Sequence, residues 1–196
     1  MANVAGLHLV DTWYLGVLAI VAVTAAVTDL RRGIISNWLT YPAIAVGLIG
    51  HTLVGGVGGF DGRMGLVGAA AGLAAGFLPM LAAWLAGGIG GGDAKLMAAF
   101  GALAGWRFAI SIMFYGLAVG ALMALVVMLR RRILAQTLGR ILRFAWLLLA
   151  SAKPADPATA SSAKVPFGLA LCIGAVLALV EVALRGQLAG KLVLGI

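Results

Sequence analysis

The stretch Gly87-Gly88-Ile89-Gly90-Gly91-Gly92-Asp93 decides how this chain is read. A glycine ribbon leads into a carboxylate, and both lie between long apolar segments. An ionisable side chain near membrane depth is costly, so it marks a functional site by default. Glycines beside it let another peptide backbone come close. Asp93 also has a simpler reading. Asp is a favoured helix N-cap, and a helix is expected from Ala94. A cap alone needs no glycine ribbon.

Composition agrees with a membrane setting. The chain has 196 residues, of which 63% are hydrophobic and 10% charged. A soluble domain carries roughly 45–50% apolar and 25% charged residues. The expected class is all-α: a polytopic membrane helix bundle forming one domain over residues 1–196. The net charge of +8 would suggest nucleic acid in a soluble protein. Here the basic residues cluster in loops, which points to orientation in an anionic lipid bilayer and to no nucleic-acid partner. Cys172 is the single cysteine, which excludes an internal disulfide and a cysteine-rich zinc site. No metal and no cofactor is expected. The first ten residues lack Lys and Arg, so no cleavable signal peptide is expected.

A helix needs about 20 apolar residues to cross a hydrocarbon core of ~30 Å. About six spans are expected, near 12–29, 38–57, 65–86, 94–106, 108–129 and 166–184. The fourth is short, which fits a broken segment completed by the glycine ribbon. If the 29–38 loop is cytosolic, that side holds ten basic residues, from Arg31 and Arg32 to Lys153 and Lys164. The outer side holds Arg63, Arg107, Arg185 and Lys191. The positive-inside rule then places both termini outside and Asp29 and Asp93 at the cytosolic face.

Residues 130–150 differ from the spans. Arg132, Gln136, Arg140 and Arg143 share one helical stripe, with Leu134, Leu138, Ile141 and Leu142 away from it. The pattern predicts a cytosolic amphipathic helix in the interface, or an extension of the fifth span. Residues 151–164, rich in Ser, Ala and Pro, read as a linker in which Asp156 is solvated.

Asp29 closes the first apolar segment, just before Arg31 and Arg32. It is either an interfacial charge paired with one of those arginines or the partner of Asp93. Two aspartates at helix ends suggest a dyad in which one carboxyl keeps a proton and the other gives it up. The remaining candidates are weaker. Asp11 and Asp61 lie at outer ends of spans, Glu181 near one, and His51 lacks a partner for metal binding. Cys172 behaves as a small apolar residue. Lys95, two residues from Asp93, points to another face, toward the interface or a substrate carboxylate.

Three blocks resemble the type IV prepilin peptidases, bacterial intramembrane aspartyl proteases of the GxGD type. The first runs from Asp29-Leu30-Arg31-Arg32 through Ser36-Asn37-Trp38-Leu39-Thr40. The second, Gly90-Gly91-Gly92-Asp93-Ala94-Lys95, fits GxGDxK. The third is Lys164-Val165-Pro166-Phe167-Gly168. Their order across the spans makes the resemblance specific. Ser36 stands where the family commonly has Pro. The loop after the first span is short and has no paired cysteines, so the chain is similar to the short form of tight-adherence (Flp) pilus systems, without the methylating activity of longer members.

The resemblance implies catalysis by Asp29 and Asp93. It implies site-shaping or substrate-binding roles for Gly90, Gly91, Gly92, Lys95, Asn37, Pro166 and Gly168. The implied partners are prepilin substrates, cut after a basic leader at the cytosolic face of the bacterial inner membrane. One carboxylate would activate a water while its protonated partner hydrogen-bonds the scissile carbonyl. Two other classes share the pattern: a small ion or solute carrier with intramembrane carboxylates, and a silent assembly factor of a secretion system.

Overall fold

Backbone groups in hydrocarbon must bond within their own segment, which favours helices. Every regular element among the described residues is a helix. The computed structural model describes residues 9–59, 64–132, 139 and 166–194. In chain order the helices are α1 (Leu9–Arg32), α2 (Asn37–Gly55), α3 (Leu66–Leu85), α4 (Gly91–Arg130) and α5 (Phe167–Leu194). The first four are long and apolar enough to cross a membrane, and α5 carries a shorter apolar stretch, Phe167–Val182. The chain is a multi-pass membrane protein.

Helix α4 has 40 residues. At about 1.5 Å per residue that is roughly 60 Å, twice the hydrocarbon thickness. It is not one continuous helix. Gly105, at φ 82 and ψ 173, breaks it into two arms. The sequence placed this boundary at Arg107, between two separate segments. The break falls two residues earlier because a positive φ suits glycine and strains other residues. Arg107 instead lies over the ring of Trp106, 5.3 Å from its centroid.

The first arm of α4 forms the centre of the core, with Leu96, Met97, Phe100 and Leu103 fully buried. Helix α3 turns Ala69, Gly72, Gly76 and Met80 inward. A Cβ at Gly72 would strike the Gly101 carbonyl, and one at Gly101 would strike that of Gly72. Backbone thus meets backbone, the usual consequence of small residues between membrane helices. Helix α2 buries Thr40, Ala43, Gly47 and His51 at helical spacing.

His51 has a structural task. Its Nε2 lies 2.7 Å from the Leu103 carbonyl oxygen, two residues before the break. A carbonyl only accepts, so Nε2 carries the hydrogen. The break interrupts the helix ladder, and His51 supplies a donor to a carbonyl beside it. The imidazole packs near the rings of Trp13 and Tyr14, at centroid distances of 5.1 and 5.6 Å. Glu181, expected near the outer end of the last span, accepts a hydrogen bond from the Tyr115 hydroxyl at 2.8 Å.

The chain falls into two compact units, Met1–Val119 with Pro166–Ile196, and Gly120–Val165. Both aspartates of interest belong to the first. Of the amphipathic helix expected at 130–150, residues 133–138 and 140–150 lie outside the described residues, as do the linker at 151–164, Asp61 and Asp156.

Candidate active site

Asp29 lies on the buried stripe of α1. Leu18, Val21, Ala22, Ala25 and Asp29 recur at helical spacing and all turn inward. Asp29 is only 8% exposed. The helix ends just beyond it, where Gly33 at φ 62 donates its N–H to the Asp29 carbonyl at 2.8 Å. Arg31 and Arg32 are exposed. Among the described residues neither forms an ion pair with Asp29, so the pairing weighed from sequence is not what holds the carboxylate.

A backbone donor on another helix holds it instead. Asp29 Oδ2 accepts the N–H of Leu169 at 2.8 Å. Leu169 lies in the first turn of α5, where N–H groups have no partner within the helix and the dipole is positive. The approach depends on Gly168. A Cβ there would sit 2.9 Å from Asp29 Oδ2 and 2.7 Å from Ile35 Cδ1. Pro166 immediately precedes α5, where its fixed φ and missing N–H suit a helix start.

Asp93 is set in a parallel way. The glycine ribbon was expected to run up to it, yet helix α4 already begins at Gly91. Asp93 is in the first turn, and its Oδ2 accepts the N–H of Gly90 at 3.1 Å. This is the backward-reaching half of a capping box. The cap reading and a site reading therefore apply to the same side chain. Asp93 is 9% exposed, and Ile35 packs against Gly92 beside it and against Gly168 beside Asp29. Among the described residues, Oδ1 of each carboxyl makes no hydrogen bond.

The neighbouring glycines make room. Gly91 lies under the Trp84 indole, where a Cβ would be 3.3 Å from Nε1, and Gly92 faces Ile35, where a Cβ would be 3.1 Å from the Ile35 Cβ. Ile35, in the turn between α1 and α2, thus touches the starts of both α4 and α5. Sequence reasoning passed over it. The signal was an apolar residue, buried in the structure, in a short polar turn. Ser36 takes the place of the usual proline and caps α2, its hydroxyl accepting the Trp38 N–H at 3.3 Å.

Lys95 turns away from the aspartates. Its Nζ donates to Asn37 Oδ1 at 2.8 Å and lies 5.3 Å from the Tyr41 ring centroid. The pair ties the first turn of α4 to that of α2. Asp29 and Gly168 therefore meet at one point, Asp93 and Gly90 at another, and Lys95 and Asn37 at a third beside them.

The fold and site define a multi-pass membrane protein with two buried aspartates, each at the positive start of a helix. The sequence pattern of the type IV leader peptidase family matches residues 16–125, more than half of the chain, and takes in both aspartates. The chain belongs to this peptidase family. No curated protein and no solved structure matches it.

Proposed function

We propose that the protein is a membrane-embedded aspartyl endopeptidase that removes the basic leader from prepilin-like substrates at the cytosolic membrane face. Asp29 and Asp93 are its catalytic dyad. The observation that carries this reading is the placement of two buried carboxylates at the starts of α4 and α5. Each has a backbone N–H on one oxygen. Membership of a peptidase family favours proteolysis over solute transport by the same carboxylates.

The proposed mechanism uses one member ionised and the other protonated, because two close carboxyls ionise together only at high cost. The ionised member takes a proton from a water held between them. The water attacks the scissile carbonyl, and the protonated member hydrogen-bonds the carbonyl oxygen as charge develops. Members of such a pair share their proton, so the acidic role is assigned to neither residue alone. Gly90, Gly91 and Gly92 shape the site by letting the Asp93 carboxyl, Trp84 and Ile35 close in around the start of α4.

The two arms of α4 count as separate crossings, which with α1, α2, α3 and α5 makes six. The basic residues then orient the aspartates toward the cytosol and both termini outward, in a bacterial inner membrane. The short α1–α2 turn without cysteines fits the short, non-methylating form that serves tight-adherence pili. Reconstituted protein incubated with candidate prepilins should release the leader peptide. Unprocessed substrate throughout, with solute flux across the vesicle, would instead support a carrier.

A further inference from the structure

Thr40 lies on the face of α2 that packs against the first arm of α4. Asn37 bonds Lys95, a Cβ at Gly47 would meet the Ala102 carbonyl carbon at 2.8 Å, and His51 bonds the Leu103 carbonyl. These contacts run in the same order along both helices. Thr40 therefore falls level with the early turns of α4, close in depth to Asp93.

Thr40 is 0% exposed, and its Oγ1 has no hydrogen-bond partner among the described residues. A buried hydroxyl that gives up water without gaining a partner is unfavourable and uncommon in native proteins. Other threonines here avoid that state. Thr24, Thr28 and Thr52 each donate to the carbonyl four residues back, at 2.8, 3.0 and 2.6 Å. The equivalent acceptor for Thr40 is the Ser36 carbonyl, which already takes the N–H groups of Leu39 and Thr40. On the neighbouring helix, Asp93 Oδ1 also makes no hydrogen bond among the described residues. An unused donor and an unused acceptor thus stand on adjacent helices at the same end of the bundle.

We propose that Thr40 is a positioning residue for the dyad. In the substrate-engaged state its hydroxyl donates to the Asp93 carboxyl and holds it toward Asp29. In the resting structure Asp93 is turned back to Gly90 as a helix cap. Engagement turns it toward the reacting water, and a donor from α2 fixes the new orientation. Catalytic groups need such support from side chains that do not themselves react. The inference rests on the dyad reading above.

The test compares Thr40→Val, which keeps the shape and removes the hydroxyl, with Thr40→Ser, which keeps the hydroxyl. Purified full-length protein in detergent would be assayed for prepilin cleavage and for thermal unfolding. For the Val variant, kcat should fall about tenfold or more with KM little changed. Its melting temperature should be equal or higher, since an unpaired hydroxyl has gone. The Ser variant should recover most of the lost rate. Parent-like kcat in Thr40→Val overturns the proposal, as does a loss that Ser does not restore or that matches a loss of folded protein. Asp29→Asn and Asp93→Asn are run alongside. If they too cleave normally, the dyad reading itself fails; if they are dead while Thr40→Val is active, only the role of Thr40 falls.

Discussion

Asp29 on α1 accepts the N–H of Leu169 on α5, so the first helix caps the start of the last across 140 residues of sequence. The contact places a buried carboxylate at a helix dipole's positive end, where negative charge is stabilised. It also makes the position of Asp29 depend on the docking of α5.

Gly168 is the sensitive point of that contact. Gly168→Ala would put a methyl about 3 Å or less from both the Asp29 carboxyl and Ile35. Relief of the overlap should cost about 1–3 kcal/mol in stability. Leader cleavage should fall at least about tenfold in the protein that remains folded, because the carboxyl is displaced. Steady-state cleavage with the folded fraction measured in parallel checks this. Parent-like turnover would show that the Asp29–Leu169 contact is dispensable.

The Lys95–Asn37 pair is expected to matter less. It is partly exposed and lies beside the aspartates. Lys95→Met and Asn37→Ala should each lower stability by about 1 kcal/mol or less, and the double variant should be no worse than the weaker single one. A double-mutant cycle on thermal or denaturant unfolding measures the coupling. Fully additive losses would mean that the two residues act separately.

His51 is expected to separate stability from catalysis. His51→Ala removes the donor to the Leu103 carbonyl and opens space beside Trp13 and Tyr14. The unpaired carbonyl alone should cost about 1–3 kcal/mol. Activity per folded molecule should stay near the parent value, since His51 bonds α4 well away from Asp93 along the helix. A pure loss of kcat without loss of stability would contradict this assignment.

Topology is open to direct labelling. In a Cys172→Ala background, a cysteine at Ile34 should react with a membrane-impermeant reagent added from the cytosolic side. One at Gly58 should react from the outside. The reverse pattern would leave the proposed cytosolic cleavage without a site.

Much of this was legible because charge is rare in apolar sequence. Asp29 and Asp93 announced themselves as carboxylates at the edges of apolar segments, and helix lengths followed from hydrocarbon thickness. What the sequence hid were contacts between distant segments. Nothing local shows that the Leu169 N–H would satisfy Asp29, or that Ile35 would reach both Gly92 and Gly168. The sequence puts the start of α4 at Ala94 because glycines read as loop, whereas Gly90 and Asp93 close a capping turn that makes Gly91 and Gly92 helical. From sequence the break in α4 falls at residue 107, between two apolar segments, while backbone freedom puts it at Gly105. Thr40 reads in sequence as an ordinary helical threonine; only burial without a partner sets it apart.

The central claim is that Asp29 and Asp93 work as one acid–base pair. Leader cleavage by Asp29→Asn, Asp93→Asn and the double variant tests it most directly, in reconstituted protein whose folded fraction is measured in parallel. Asn keeps the shape of Asp but neither takes up nor releases the proton. Each single variant should lose cleavage while staying folded, and the double variant should be little worse than either, because members of one catalytic unit are not additive. Substantial turnover in either single variant, or a loss of activity that merely follows a loss of folded protein, would contradict it.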